Sequence, residues 1–115
     1  MKPTMPFNFG DIVLVPFPFT NQAASKQRPP VIVSSHAYNA ARLDVVVMAI
    51  TSQLHSTISF GEIHIQDWQF PKLLKPSVIK PIFATLEQSL VIKQLGTLQK
   101  ADQAALKQTI AQLIN

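Results

Sequence analysis

A chain of 115 residues, 47% of them hydrophobic and 14% charged, has the size and composition of one small domain with its own core. That hydrophobic share excludes a disordered or low-complexity segment, and the absence of cysteine excludes a disulfide scaffold, a cysteine zinc site and a thiol nucleophile. Ten Lys and Arg against six Asp and Glu give a formal charge of +4, a sign that suits nucleic acid, an anionic membrane or an acidic protein partner.

Met1–Phe9 carries one lysine and no sustained apolar run, so no secretory leader is expected. Gly10-Asp11 then opens the longest apolar run, Ile12–Phe19, which is far too short to cross a membrane and contains Pro16 and Pro18. Both parities of this run are apolar, which predicts a strand covered on two faces. The two prolines put their missing N–H groups on one edge, so the sheet should have a margin there. Thr20–Gln27 is small, polar and without period: a loop. Pro29-Pro30 leads into a second strand over Val31–Ser35. A helical turn around Ala37–Ala41 follows, then a β-branched central strand over Leu43–Ile50.

Thr51–Ser59 reads as a second polar loop. In Phe60–Gln66, Ile63 and Ile65 alternate with Glu62, His64 and Gln66, as in a half-exposed strand. Trp68–Pro76 is irregular. Ser77–Leu86 and Leu90–Ile92 supply further strand material, broken at Pro81. Leu106, Ile110, Leu113 and Ile114 recur at helical spacing, which predicts an amphipathic helix over Lys100–Ile114, with Asp102 in its first turn suiting the dipole. The expected architecture is a mainly-β α+β domain over residues 1–115, a small barrel of five to seven strands with a C-terminal helix, soluble and cytoplasmic.

Few residues carry recognisable chemistry. Lys72, Lys75 and Lys80 form a basic stretch without acids, readable as a solvated loop or as a track for phosphates. Glu62 and His64, with His55 and Asp67 near in sequence, offer either metal ligands or the wet face of a strand. Ser34-Ser35-His36 is not a triad, because neighbours at a strand end point to opposite faces. No phosphate loop, dinucleotide fingerprint or nucleophile elbow is present. Arg28 sits at a rigid strand entrance beside Pro29-Pro30, where its guanidinium can offer forked donors to a phosphate or pair with a surface acid. Thr51-Ser52-Gln53 places hydroxyl and amide groups at the end of the most apolar strand, as donors at a loop mouth or as ordinary turn chemistry.

The segments G-D-I-V-L-V-P-F-P-F-T at 10–20, K-Q-R-P-P at 26–30, I-T-S-Q at 50–53, K-P-S at 75–77 and T-L-E-Q-S-L-V-I-K-Q-L-G-T-L at 85–98 together resemble the MazF/PemK-like toxins of type II toxin–antitoxin systems. The resemblance implies an SH3-like barrel acting as a homodimer, and a cognate antitoxin as partner. It further implies metal-independent, sequence-selective cleavage of single-stranded RNA, with 2′-OH attack leaving a 2′,3′-cyclic phosphate and a 5′-hydroxyl. No cofactor is implied. Arg28 matches the family's catalytic arginine, Thr51 its catalytic Thr/Ser, and Gln53 a position beside the scissile phosphate. Thr20–Lys26 matches the loop that covers or frees the site, so Phe19, Thr20, Lys26 and Gln53 are the expected substrate-binding residues. Gln27 stands where a second basic residue is common, and Phe70–Leu74 lacks the glycine often found before the K-P-S element. The general base stays open between His55, His64 and neither. A non-cutting toxin like CcdB, which binds DNA gyrase on a related barrel, or a paralogue that only binds antitoxin, are the alternatives.

Overall fold

The computed structural model describes residues 6–17 and 26–115. In chain order these form β1 (Asp11–Phe17), β2 (Lys26–Arg28), β3 (Val31–Ile32), α1 (His36–Ala41), β4 (Asp44–Thr51), β5 (Ile63–His64), β6 (Val78–Glu87), a 3-10 turn (Gln88–Leu90), β7 (Lys93–Thr97) and α2 (Lys100–Ile114). The seven strands make one antiparallel sheet in the order β2-β1-β3-β4-β6-β5, with β7 also on β1. Strand number, class and terminal helix are as the sequence predicts. The sheet is open: among the described residues, β5 and β7 share no ladder.

β1 is buried on both parities from Asp11 to Val13 and again at Val15, as its unbroken apolar pattern requires. Ile12, Val31, Met48, Ile50, Ile63, Ile65 and Ile79 lie in one core closed by Leu98 and by Leu106 of α2. Their neighbours Val13, Val15, Ile32, Val45, Val47 and Leu86 build a second core on the other face, flanked by Phe7, Leu90 and Val91. Alternating side chains of the same strands thus feed two cores. The expected margin is present at Pro16, Pro18 lying outside the described residues: the β7 ladder stops at Leu14, and among the described residues only β2 accompanies β1 past Val15.

Four expectations about elements need correction. β6 is not broken at Pro81. Met48 pairs with Phe83 and Ile50 with Ile79, so Lys80-Pro81-Ile82 faces Ala49 alone, and the bulge absorbs the proline. The last strand is not Leu90–Ile92 but β7. Gln88–Leu90 turns the chain first, and Ile92 N–H, bonding to the Leu14 carbonyl, opens the ladder to β1. β7 carries Gly96 because Pro71 lies against it, and a Cβ there would come within 2.7 Å of Pro71 Cα. The strand expected over Phe60–Gln66 pairs only at Ile63–His64, since Gly61 turns the chain at a φ of 92°. In α2, Leu106 is fully buried but Ile114 is 77% exposed, so the apolar stripe extends past the covered part of the helix.

Polar ties lock the ends of these elements. Ser35 caps α1 by accepting the Tyr38 N–H at 3.1 Å. The Gln88 amide donates to the carbonyls of Asn39, Arg42 and Asp44, satisfying the end of α1 and the start of β4 together. Asp102 is buried, and its carboxylate accepts the N–H groups of Gln66 and Asp67 at 2.9 and 3.0 Å. It therefore fastens α2 to the chain after β5, a role its place in the first helical turn does not reveal. In Phe70–Leu74, where a glycine is missing, Lys72 itself takes the left-handed conformation at a φ of 66°.

Candidate active site

β2 and β3 are two parts of a single line of chain. Arg28 lies opposite Val15 and Val31 opposite Ile12, the same offset on both sides of Pro29-Pro30, so no residue is gained or lost through the prolines. On its other edge this line pairs with β4, Val31 facing Met48 and Ile32 facing Val47. That ladder stops at Val31 and Met48, so Arg28 lies beyond it, on the same side of β4 as β3. Thr51 in turn pairs with Val78 of β6, and Val78 with His64 of β5. Thr51, Val78 and His64 thus follow one another across the sheet, and Arg28 ends β2 on the same face. Their parity puts them on the face of the second core, away from α2.

The second core fills this face toward Val45 and Leu86, while the row lies toward the opposite ends of the strands. Lys26, Gln27 and Arg28 are exposed, Thr51 is half-buried, and Val78 is buried as the floor between Thr51 and His64. The Arg28 guanidinium stacks over the Phe17 ring at 5.0 Å, which restrains the fork on the strand end. Thr51 Oγ1 accepts the Gln53 N–H at 3.1 Å. The lone pair so used leaves the hydroxyl hydrogen available to an acceptor on the open face. A shallow hollow next to Thr51 is lined by Gln53, His55, Glu62, His64 and Lys80.

Lys26 lies opposite Phe17 and shares a side with Arg28. Phe19, Thr20 and the loop up to residue 25 lie outside the described residues. The candidate metal ligands Glu62, His64 and His55 share the hollow without forming a ligand set. Glu62 takes Lys80 Nζ at 3.7 Å and the Ser59 N–H at 3.0 Å, and no three His, Asp or Glu side chains converge among the described residues. Ser34, Ser35 and His36 are structural. Ser34 Oγ donates to Asn39 and accepts the Val46 N–H, Ser35 caps α1, and the His36 ring bonds to Asn8 Oδ1 at 2.8 Å.

Sequence reasoning missed that His64 and Lys80 share the hollow with Thr51. Alternation does show that Glu62 and His64 point away from the core. Which strand lies beside them is fixed only by the β5–β6 pairing.

Outside this face, among the described residues, Tyr38, Arg42 and Asp44 form an electrostatic cluster. The Arg42 guanidinium at 3.1 Å and the Tyr38 hydroxyl at 2.7 Å hold the Asp44 carboxyl below its ordinary range, and the bond to Asp44 pushes the Tyr38 phenol up.

No helix among the described residues is long and apolar enough to cross a membrane. No curated protein sequence matches the chain. Among solved structures, the fold is similar to that of an endoribonuclease in complex with its cognate antitoxin from a mycobacterial species. The TM-score is 0.75 at 21% identity, over 92% of each chain. It is similar to the Mycobacterium tuberculosis toxin MazF-mt6, with a TM-score of 0.69 at 20% identity over 89% of this chain and 93% of that one. A MazE–MazF structure from Deinococcus radiodurans matches with a TM-score of 0.73 at 21% identity, over 96% of this chain and 97% of that one. Residues 8–114 match the family described as PemK-like, MazF-like toxin of type II toxin–antitoxin system. With nearly its whole length matched and the fold shared, this chain belongs to the PemK-like, MazF-like toxins of type II toxin–antitoxin systems.

Proposed function

We propose that this toxin is an endoribonuclease that cuts single-stranded RNA at Arg28 and Thr51 without a bound metal. The observation that carries the reading is the placement of these two residues at strand ends on the same open face of the sheet, beyond the second core. RNA brings its own nucleophile, the 2′-hydroxyl, so the protein has only to splay the strand, align the attack and stabilise charge on the phosphate oxygens. Arg28 is permanently cationic and presents a planar fork to the pentacoordinate phosphorane. Thr51 donates its free hydroxyl hydrogen to a non-bridging oxygen, its own oxygen being held by the Gln53 N–H. Lys26 adds positive potential on the same side, and Gln53, Phe19 and Thr20 contact the RNA beside the cut. The products are a 2′,3′-cyclic phosphate and a 5′-hydroxyl.

One of the similar structures is an endoribonuclease in complex with its cognate antitoxin. By that likeness the present toxin takes an antitoxin too, with an acidic segment complementing its charge of +4. It acts as a homodimer, which gel filtration at micromolar concentration checks; a monomer there overturns that part. The activity is tested with mixed-sequence RNA in EDTA. Wild-type protein should give site-specific cuts, and Arg28→Ala should lower the rate at least about a hundredfold, as loss of a transition-state donor does. A 2′-deoxy sugar at the cut position should block cleavage. A need for Mg²⁺, cleavage of the deoxy substrate, or RNA left intact by wild type overturns the reading; intact RNA together with gyrase binding favours the non-cutting alternative.

A further inference from the structure

The nuclease reading names a group for the phosphate but none to take the proton from the 2′-hydroxyl. The chain has three histidines, and the sheet treats them differently. His36 is at the start of α1, bonded to Asn8. His55 lies in the loop after β4, with no strand fixing its place. His64 is held in a ladder, opposite Val78, which is itself opposite Thr51.

We propose that His64 is the general base of the cleavage reaction, an inference that rests on the nuclease reading and completes it. Thr51 and His64 stand two interstrand steps apart on one face, roughly 10 Å between Cα atoms at about 4.8 Å per step. Both side chains line the same hollow, with small, buried Val78 beneath. Arg28 lies on the same face, on the other side of β4 from His64. In-line displacement needs the incoming and departing oxygens on opposite sides of phosphorus, and this face supplies a group on each side of β4, with the Thr51 hydroxyl between them.

The step balances. A neutral His64 ring nitrogen takes the 2′-hydroxyl proton as the O2′–P bond forms. The P–O5′ bond breaks with its electron pair going to the 5′-oxygen, which takes a proton from solvent water while the permanently cationic Arg28 stabilises the charge on the phosphorane. The imidazolium then returns its proton to solvent. His64 is exposed, so RNA has access to the ring. The charged and titratable groups facing it are Glu62 on its own side of the chain, Lys80 of β6 and His55 of the loop. Glu62 and Lys80 are paired with each other. α2 packs beneath β5 through Ile63 and Ile65, and its Asp102 is turned to the backbone of Gln66 and Asp67.

The test is single-turnover cleavage of a mixed-sequence RNA in EDTA from pH 5 to 9. The proteins are wild type, Arg28→Ala, His64→Gln, His64→Ala, His55→Gln and His36→Gln. Wild type should lose activity on the acid side, as a base that must be neutral dictates. His64→Gln should cut about a hundredfold more slowly and lose that acid limb, while added imidazole should partly restore His64→Ala. His36→Gln should cut as wild type does, and thermal melting should show that the His64 variants remain folded. A His64→Gln protein with wild-type rate and limb overturns the proposal, as does a limb that disappears in His55→Gln instead. In those cases Arg28-dependent cuts leave the nuclease reading standing. Wild type that leaves RNA whole removes both.

Discussion

Beneath α2 the sheet presents Ile12, Val31, Met48, Ile63, Ile65 and Ile79 to Leu98 and Leu106, and these side chains are almost wholly closed off. On the other face, the same strands carry Val13, Ile32, Val45 and Val47 into a smaller core that covers only part of the surface. The remainder of that face holds Arg28, Thr51 and His64 at strand ends. The difference shows a division of labour imposed by alternation. Residues of one parity close the main core, and those of the other are left open once the smaller core has ended. Polar donors at the ends of buried strands are held by rigid neighbours yet remain open to a ligand, which is what a preorganised site requires.

This comparison can be broken by mutation. The largest effect on stability should come from Leu106→Ala, which removes a fully buried side chain between helix and sheet and should cost about 2–5 kcal/mol in denaturant unfolding. Arg28→Ala, on the exposed strand end, should leave the unfolding midpoint close to wild type while abolishing cleavage. If both variants lost the same stability, the two faces would not be separable in this way.

A smaller loss, about 1–3 kcal/mol, is expected for Asp102→Ala, which leaves the Gln66 and Asp67 N–H groups without their acceptor. Hydrogen exchange should then speed up at those two amides before it does elsewhere on the sheet. An unchanged exchange rate there would deny Asp102 its fastening role.

The smallest effect concerns Asp44, at the start of β4. Its carboxyl is held below the ordinary value by Arg42 first and Tyr38 second. A group depressed in the folded state adds stability above its unfolded pKa, near 3.9, and loses it as pH falls through the folded value. The contribution should therefore be intact at neutral pH and vanish only in the acid range below about 4. Carboxyl NMR titration should show Asp44 moving upward in Tyr38→Phe and further in Arg42→Gln. No shift in either variant would refute the pairing.

Much of this was legible in the residues. The two-sided apolar run at Ile12–Val15 announced a strand with two covered faces, and the spacing of Leu106 and Ile110 announced α2, whose bounds agree with the reading. Pro81 misled because proline interrupts a ladder unless the partner strand lets it bulge out, and that partner, β4, is some thirty residues away in sequence. Gln88 and Asp102 gave no warning either. Each looks like an ordinary surface polar residue until the backbone groups it satisfies are brought to it from α1 or from the chain after β5.

The sequence by itself determined the class of fold, the family pattern, and the outward direction of Glu62 and His64, because side-chain alternation and helical spacing are local properties of the chain. Only the tertiary structure decided that Arg28 and Thr51 stand on one face, and that His64 comes beside Thr51 through Val78. Such neighbourhoods depend on which strands pair and in what register, and a register is chosen by the burial of whole faces at once, not by any one segment.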